Sequence, residues 1–323
     1  MTIESLLSVE GLSVAFNTEQ GRVRVVEDVS FKLAAGETLG LVGESGCGKS
    51  VTAQTIMRLL PSPPSRIEGG RIMFEGEDLV MLPDSRMRRI RGDRIGMVFQ
   101  EPMTSLNPTQ RVGRQIAEVL SLHRGLGYGD AKALVVSTLK KVGIGNAERR
   151  LEQYPHELSG GLRQRVMIAM AIVCGPKLLI ADEPTTALDV TIQAQIMELL
   201  QALQRDLGLS ILLITHDLGI VAEMCRTMVV MYAGRIVESG PSAEIFTNPR
   251  HPYTAGLINS SPRRAKKGER LPTISGLVPP PGQRGIGCNF ADRCPRVLEK
   301  CRGEAPPLAP ISGRLAACWN PVP

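Results

Sequence analysis

The sequence predicts an α/β protein built on a parallel β-sheet with crossover helices. From residue 177 onward, an apolar run KLLIAD, a long amphipathic segment IQAQIMELLQALQRDLG and a second apolar run SILLITHD follow one another. Such strand–helix–strand alternation is typical of parallel strands joined by helices. A second indication is the apolar run Thr38–Val42, which predicts a fully buried strand followed by a glycine-rich loop and a helix beginning at Lys49.

Local patterns predict the remaining elements of the sheet and its helices. Short β-type runs over 6–42 predict an antiparallel patch before the buried strand, and apolar positions spaced by three and four predict helices over 111–174. Other expected elements are a helix from Lys49 to about Leu60, strands at Gly70–Phe74 and Ile95–Gln100, and a hairpin over 227–240.

The composition changes near residue 240 and indicates a second module. Residues 241–323 are rich in proline and hold four of the seven cysteines. We therefore expect a main domain over 1–240, with a helical subdomain at about 101–170, and an extension over 241–323. The extension reads as a short helical link to about Ser260, a mobile basic stretch RRAKKGER and a small loop-rich module.

Composition disfavours several classes of protein. The net charge of +6 is mild, and the 3% of aromatic residues leave little for stacking on bases, so no nucleic-acid partner is expected. The longest apolar run, Val166–Pro176, is shorter than the ~18–20 residues that cross a bilayer. The first ten residues lack the features of a secretory signal, which predicts a cytosolic chain with reduced cysteines.

The glycine-rich loop at 43–50, GESGCGKS, fits the pattern G-x-x-x-x-G-K-[ST] and is called the P-loop below. Glycines let the backbone curl so that successive N–H groups face phosphates at a helix N-terminus. Lys49 is expected to reach the β- and γ-phosphates of ATP, and the Ser50 hydroxyl to bind Mg²⁺. An ordinary glycine-rich turn is the alternative. The candidate nucleotide-binding residues are Gly43, Ser45, Gly46, Cys47, Gly48, Lys49, Ser50 and Val51.

Two further buried strands end in polar residues. The strand LLIAD ends at Asp182, which we expect to lie near the magnesium ion, and is followed by Glu183, which we expect to face the attacking water. The strand ILLIT is followed by His216, which can sense the γ-phosphate. Taken alone, each strand end is common, and a single histidine at such a place is more often a core residue. Together with the P-loop, they predict Lys49, Glu183 and His216 as the catalytic set.

The segment Leu158–Arg165, LSGGLRQR, makes the prediction specific. LSGG followed by a helix and an acidic strand resembles the ABC-family ATPases, in which ATP lies between the P-loop of one subunit and the LSGG of another. Ser159 with the amides of Gly160 and Gly161 at a helix start forms a second anion site. Leu162 stands where many members of the family have glutamine, but LSGG itself is intact.

The same resemblance assigns roles to three further positions. Gln100 resembles the family residue that ligates magnesium and senses the membrane subunit, and Asp189, in Ala187-Leu188-Asp189, resembles the loop that contacts the dimer partner. Phe16 stands where the family stacks an aromatic ring on adenine, although plain packing explains it too.

Three features resemble the peptide-importer branch of that family: Glu101–Pro108, Arg250–Thr254 and the C-terminal cysteines. The resemblance implies import of di- or oligopeptides, with nickel, glutathione or an oligosaccharide as alternative cargoes. It also implies two transmembrane permease subunits, a solute-binding protein and a second ABC ATPase subunit at the cytoplasmic face of the membrane. The sequence VMIAMAI after LSGG resembles the first of two non-identical ATPases. A non-transport ABC ATPase acting on nucleic acid is disfavoured, since long coiled-coil insertions are absent.

Four cysteines of the extension form a candidate metal site. Their spacing lacks the short C-x₂-C pairs of zinc ribbons and suits thiolates that wrap a 4Fe–4S cluster. Some peptide-importer ATPases resembling this chain hold such a cluster. Zinc and ordinary free thiols remain the alternatives, and a segment this small is expected to need a metal to hold it together. The residues are Cys288, Cys294, Cys301 and Cys318.

Overall fold

The computed structural model describes residues 5–19, 21–186, 188–261 and 272–323, without the side chains of 102 and 103. The chain splits into two compact units. The first unit comprises 1–34, 38–81 and 214–323, and the second comprises 35–37 and 82–213. The basic stretch 263–270, expected to be mobile, and Ala187 lie outside the described residues.

The described parts contain strands and helices in alternation. The strands are β1 (Ser5–Thr18), β2 (Gly21–Ala34), β3 (Thr38–Val42), β4 (Ser65–Phe74), β5 (Glu77–Asp78), β6 (Ile95–Val98), β7 (Leu178–Asp182), β8 (Ser210–Thr215), β9 (Thr227–Tyr232), β10 (Arg235–Pro241), β11 (Ala309–Ile311) and β12 (Arg314–Ala316). The helices are α1 (Lys49–Ile56), α2 (Asp84–Ile90), α3 (Pro102–Ser105), α4 (Val112–Arg124), α5 (Tyr128–Lys141), α6 (Ala147–Arg150), α7 (Gly160–Ile172), α8 (Val190–Leu207), α9 (Leu218–Met224), α10 (Ser242–Thr247), α11 (Pro252–Asn259) and α12 (Glu299–Gly303).

The first unit carries an antiparallel sheet of order β2-β1-β4-β5. Leu7, Leu12 and Val14 of β1 are fully buried, and the register shifts between Val9 and Leu12, so the burial does not follow a strict alternation. Strand β4 begins at Ser65, earlier than the expected Gly70, because its first residues extend the ladder: Ser65 pairs with Phe16 of β1. The predicted antiparallel patch is confirmed and is longer than the sequence indicated.

The first unit also carries the strand order β11-β12-β10-β9-β3. Strand β3 pairs in parallel with β9, and all five of its residues are buried, as predicted. Strands β9 and β10 form the expected hairpin, joined by Ala233 and Gly234. Both residues have positive φ, 42° and 83°, which a two-residue turn that follows the right-handed strand twist requires.

The extension packs onto this sheet. Strand β12 pairs with β10, and Arg314 lies 3.2 Å from the buried carboxylate of Glu238. The ring of Phe290 stands 5.2 Å from that of Tyr232 and 5.4 Å from that of Tyr253, edge to face. The expectation that the extension needs a metal to stay folded is therefore wrong in its premise. The extension completes the sheet and core of the first unit instead of forming a separate core.

The second unit contains the strand order β8-β7-β6, with β6 and β7 parallel. Helices α4–α7 occupy most of the region expected to be helical, and α4 packs on α5 and α7. Its buried face carries Val112, Ile116 and Leu120, spaced by four residues as an amphipathic helix requires. No helix in the described ranges is long and apolar enough to span a bilayer.

Two element ends differ from the sequence prediction. Helix α1 ends at Ile56 and not near Leu60, because Arg58 takes a left-handed conformation with φ 48° and the amide of Leu59 bonds to the carbonyl of Gln54. Strand β6 ends at Val98, two residues before Gln100. The left-handed turn at Arg58 thus ends α1 before Pro61 is reached.

The N-cap of α11 creates a pH-sensitive position in the first unit. Burial lowers the pKa of His251 to about 3, and its Nδ1 accepts a hydrogen bond from the amide of Tyr253 at 3.1 Å. An unfolded histidine titrates near pH 6.5, so between pH 6.5 and about 3 the unfolded chain binds a proton that the folded chain does not. Acidification through this window therefore lowers the free energy of unfolding, by about 1.4 kcal/mol per pH unit.

We predict that His251→Asn, which keeps a capping acceptor without a titrating group, flattens the pH dependence of the melting temperature between pH 6.5 and 4. Thermal unfolding of both proteins across this range measures the difference, in which contributions of other groups cancel. Melting curves that shift in parallel for the two proteins would contradict the buried neutral imidazole.

Candidate functional site

The P-loop connects β3 to α1 in the first unit, and its shape depends on glycine. Gly43, Gly46 and Gly48 all have positive φ, of 152°, 77° and 106°. A Cβ at Gly43 would overlap the carbonyl oxygen of Met231 and lie 2.8 Å from Sγ of Cys47. Only glycine therefore lets the loop pass this close to strand β9 while its backbone curls.

Lys49 folds back over the loop. Lys49 is only 4% exposed, and its Nζ donates to the carbonyls of Gly43 at 2.8 Å and Glu44 at 3.1 Å. The ammonium group is thereby held within the curl of the loop. This is the position predicted for a residue that contacts the β- and γ-phosphates.

The first turn of α1 completes the phosphate-binding end of the loop. Ser50 and Val51 are half-buried in that turn, Ser45 and Gly46 are exposed, and the turn contains no acidic residue. The partial positive charge of the helix N-terminus is thus left for an anion. Cys47 is fully buried, and burial raises the pKa of its thiol. It acts as a small apolar side chain whose backbone shapes the loop.

Phe16 and His216 also belong to the first unit. Phe16 lies half-buried near the end of β1, opposite Val23 of β2, so part of its ring remains exposed for stacking. His216 is exposed directly after β8. The following residue, Asp217, caps α9 by accepting from the amide of Gly219 at 2.7 Å. The cap fixes the backbone on which the histidine stands.

In the second unit, β7 presents the two acids. Asp182 is 3% exposed at the strand end, and the next residue, Glu183, is half-buried with φ 46°. A left-handed conformation is rare for glutamate and costs about 1–3 kcal/mol. Strain of this kind clusters at functional sites, where it aims a side chain that a regular strand would direct elsewhere.

The carboxylate of Glu183 is held on two sides. Its Oε2 accepts from Oγ1 of Thr186 at 2.9 Å and from Nε2 of Gln100 at 3.3 Å. The structure thus brings together two residues that the sequence assigned to separate motifs. Thr186 was missed by sequence reasoning. Its signal is its position three residues after the acid, from which its hydroxyl reaches back across the turn.

The LSGG segment begins α7 in the second unit. Ser159 is the N-cap, its Oγ accepts from the amide of Leu162 at 3.4 Å, and both Ser159 and Gly160 are exposed. A Cβ at Gly161 would lie 2.7 Å from Cγ2 of Ile192 on α8. One glycine therefore leaves amides accessible to an anion, and the other permits close packing of two helices.

Asp189 caps helix α8. Its Oδ1 accepts from the amide of Ile192 at 2.9 Å, and the residue is exposed. A carboxylate at a helix start is stabilised by the helix dipole. The structure thus gives Asp189 a local structural role in addition to the expected role at the dimer partner.

The four cysteines of the extension are free thiols. Sγ of Cys294 accepts from the amide of Arg296, and Sγ of Cys301 from that of Leu298, both at 3.4 Å. Burial raises the pKa of Cys318 to about 11, and the charges of the three other thiolates add to the rise. Within the described residues, no three Cys, His, Asp or Glu side chains form a group that could hold a metal ion.

A curled glycine loop that caps a helix, encloses a buried lysine and follows a buried parallel strand defines a P-loop nucleotide-binding protein. The family described as ABC transporter matches residues 26–186 of the chain. The family described as oligopeptide/dipeptide transporter, C-terminal region, matches residues 237–301.

Two relatives align with nearly the whole chain. A peptide ABC transporter ATP-binding protein of Sinorhizobium fredii is 51% identical over 98% of this chain and 95% of its own length. A peptide import ATP-binding protein of Brucella ovis is 52% identical over 100% of this chain and 99% of its own length. The chain therefore belongs to the ATP-binding subunits of ABC transporters, and its ATP hydrolysis is coupled to transport.

Solved structures confirm the predicted fold class. The cbiO1 protein of Clostridium perfringens, part of the ABC transporter complex cbiONQ, superposes with a TM-score of 0.63 at 30% identity, over 76% of this chain and 91% of its own. A dimeric ATP-binding cassette in a post-hydrolysis state, bound to ADP and Pi, has a TM-score of 0.65 at 25% identity, over 73% of this chain and 98% of its own.

Proposed function

We propose that this chain powers the import of di- or oligopeptides across the cytoplasmic membrane. The observation that carries the proposal is the extension: residues 237–301 match the C-terminal region of oligopeptide and dipeptide transporters, and relatives named for peptide import share the whole chain. The extension packs on the sheet that bears the P-loop. The region typical of peptide importers is therefore part of the same folded unit as the P-loop.

The proposed chemistry is phosphoryl transfer to water by positioning and charge neutralisation. Lys49 and the loop amides bind the phosphates, Phe16 stacks on adenine, and His216 contacts the γ-phosphate. Glu183 orients and polarises the attacking water. Its support is the strained backbone and the two hydrogen bonds from Thr186 and Gln100, which fix the carboxylate in one direction.

Magnesium fits the donors that the chain offers. The Ser50 hydroxyl, the Asp182 carboxylate and the amide oxygen of Gln100 are the oxygen ligands that Mg²⁺ prefers. Because Nε2 of Gln100 donates to Glu183, its Oε1 would be left to hold the metal. When bound, Mg²⁺ neutralises charge on the β- and γ-phosphates. Gln100 would then link the metal to the carboxylate that handles water.

The proposed assembly contains four core subunits. Ser159, Gly160, Gly161 and Asp189 would contact ATP held by the P-loop of a second, non-identical ABC ATPase. Closing and opening of the two ATPase subunits would move two transmembrane permeases, which Gln100 and the residues after it would contact. A solute-binding protein would deliver the cargo. The chain would lie at the inner face of the cell membrane. The exposed LSGG helix start supports this arrangement, since Ser159 and Gly160 are accessible to an anion from outside the subunit.

The test of this function is ATP-driven uptake by the complete complex in proteoliposomes, with wild-type chain and with Glu183→Gln. We expect peptide uptake by the wild type, and for the variant retained ATP binding with hydrolysis reduced about 10²–10⁴-fold, the range for a positioned base. Uptake of nickel, glutathione or an oligosaccharide but no peptide would contradict the cargo. Hydrolysis by the variant within threefold of wild type would contradict the role of Glu183.

We further propose that Cys288, Cys294, Cys301 and Cys318 hold a 4Fe–4S cluster. The four thiols share one neighbourhood, because the charges of the other three each raise the pKa of Cys318. Two of them already accept amide hydrogen bonds, as cluster thiolates do. Among the described residues no three such side chains form a group that could hold a metal ion, so the shared neighbourhood and the amide bonds are what support the proposal.

Anaerobic purification tests this site. We expect brown protein with about four irons per chain, one per thiolate. Cys294→Ser should bleach the colour. Because the extension is held by β12 and by the aromatic cluster, the variant should remain folded and bind ATP. Colourless anaerobic protein containing neither iron nor zinc would refute the cluster and leave four ordinary thiols.

A further inference from the structure

One side chain of the extension is bonded directly to the P-loop. Nη1 of Arg293 lies 2.7 Å from Oε2 of Glu44, and Nη2 lies 3.0 Å from Oε1. The two residues are 249 positions apart in sequence, and Glu44 is the second residue of the loop. A guanidinium that meets both oxygens of a carboxylate forms a bidentate pair, which fixes orientation as well as distance.

We propose that Arg293 is a positioning residue for nucleotide binding, which sets the shape of the P-loop by holding Glu44. The proposal rests on the proposed binding of ATP phosphates by that loop. It assigns to the extension a direct influence on the affinity of the ATPase for nucleotide.

The backbone of Glu44 is fixed at both ends. Its amide donates to Oη of Tyr253 at 2.9 Å, and its carbonyl accepts from Nζ of Lys49 at 3.1 Å and from the amide of Cys47 at 3.3 Å. The amide of Glu44 therefore points at helix α11 and not into the loop. The amides left to bind phosphates are those that follow, and the extension determines where that series begins.

Arg293 is itself rigidly held. Its side chain is 6% exposed, against 30% for Glu44. Nε donates to the carbonyl of Ser275 at 2.8 Å, and the guanidinium lies over the rings of Tyr232 and Phe290, at 5.7 Å and 5.9 Å from their centroids. The bond to Glu44 raises the pKa of Arg293, so its charge persists at any physiological pH. The anchor is thus preorganised before nucleotide arrives.

Loss of the anchor affects affinity through the cost of ordering the loop. Without Arg293, the Glu44 carboxylate turns to solvent, and the backbone bonds of Glu44 alone hold this end of the loop. Nucleotide binding must then order these groups itself, and that ordering subtracts from the binding free energy. The expected effect therefore falls on the affinity for ATP and not on the rate at which bound ATP is hydrolysed in the assembled complex.

The experiment measures equilibrium binding of MgATP to the full chain by calorimetry. Arg293→Ala is expected to raise Kd about tenfold, as for a truncated ion pair near a site. Glu44→Ala should raise it by a similar factor, and the double variant by no more than the larger single effect. Arg293→Lys should fall between wild type and Arg293→Ala, since an ammonium cannot bind both oxygens.

Two control variants separate positioning from general loosening of the extension. Arg302→Ala removes an exposed arginine paired with Asp292 in the same module and should leave Kd within about twofold, as a surface pair predicts. Arg314→Ala weakens the attachment to β10 without touching Glu44. Emission from Trp319, the single tryptophan, reports whether the extension stays packed. It should be unchanged in Arg293→Lys and Glu44→Ala.

The outcomes are distinct. Coupled single effects with unchanged Trp319 emission support the proposal. Strictly additive effects in the double variant, a Kd within twofold of wild type for Arg293→Ala, or an equal loss in Arg302→Ala would each overturn it. Lys49→Ala in the same assay tests the P-loop assignment separately: if that variant binds MgATP like wild type, the proposed nucleotide site fails and the inference with it.

Discussion

The close passage of Gly43 against the carbonyl of Met231 is the constraint on which the first unit depends. A side chain at this position would overlap strand β9. Because glycine has none, the loop can lie directly against the β9–β10 hairpin. The amide of Gly234, in the hairpin turn, donates to the carbonyl of Cys47 at 2.9 Å and closes the contact. Curvature of the P-loop is therefore a property of the sheet beneath it as well as of its own glycines.

The extension uses the other edge of the same hairpin. Strand β12 adds to β10, the rings of Tyr232, Tyr253 and Phe290 fill the space beside it, and Arg293 reaches Glu44 from this cluster. Loop, hairpin and extension thus share backbone pairing and a common core. The extension, which follows the ATPase motifs in sequence, thus contacts the P-loop directly in the structure. Regulation of nucleotide affinity through the extension then needs no separate moving part.

Sequence reasoning succeeded where chemistry is local in the chain. The P-loop, the buried strand β3 and the LSGG helix start each occupy a short run in which spacing alone dictates conformation. It failed where partners are distant or depend on backbone strain. Nothing in the sequence pairs Arg293 with Glu44, and no sequence pattern predicts the left-handed φ of Glu183 or its hydrogen bond from Gln100. The end of α1 was missed for the same reason, because Arg58 leaves the helix before proline is reached.

Amide hydrogen exchange with and without MgATP tests most directly whether loop, hairpin and extension are one unit. Ligand that binds the loop stabilises every segment whose opening would also open the loop. We expect ATP to slow exchange in residues 43–50 and, to a similar degree in free energy, in the hairpin around 233–234 and in residues 288–294. Slowed exchange confined to 43–50 and α1, with the extension unchanged, would contradict it.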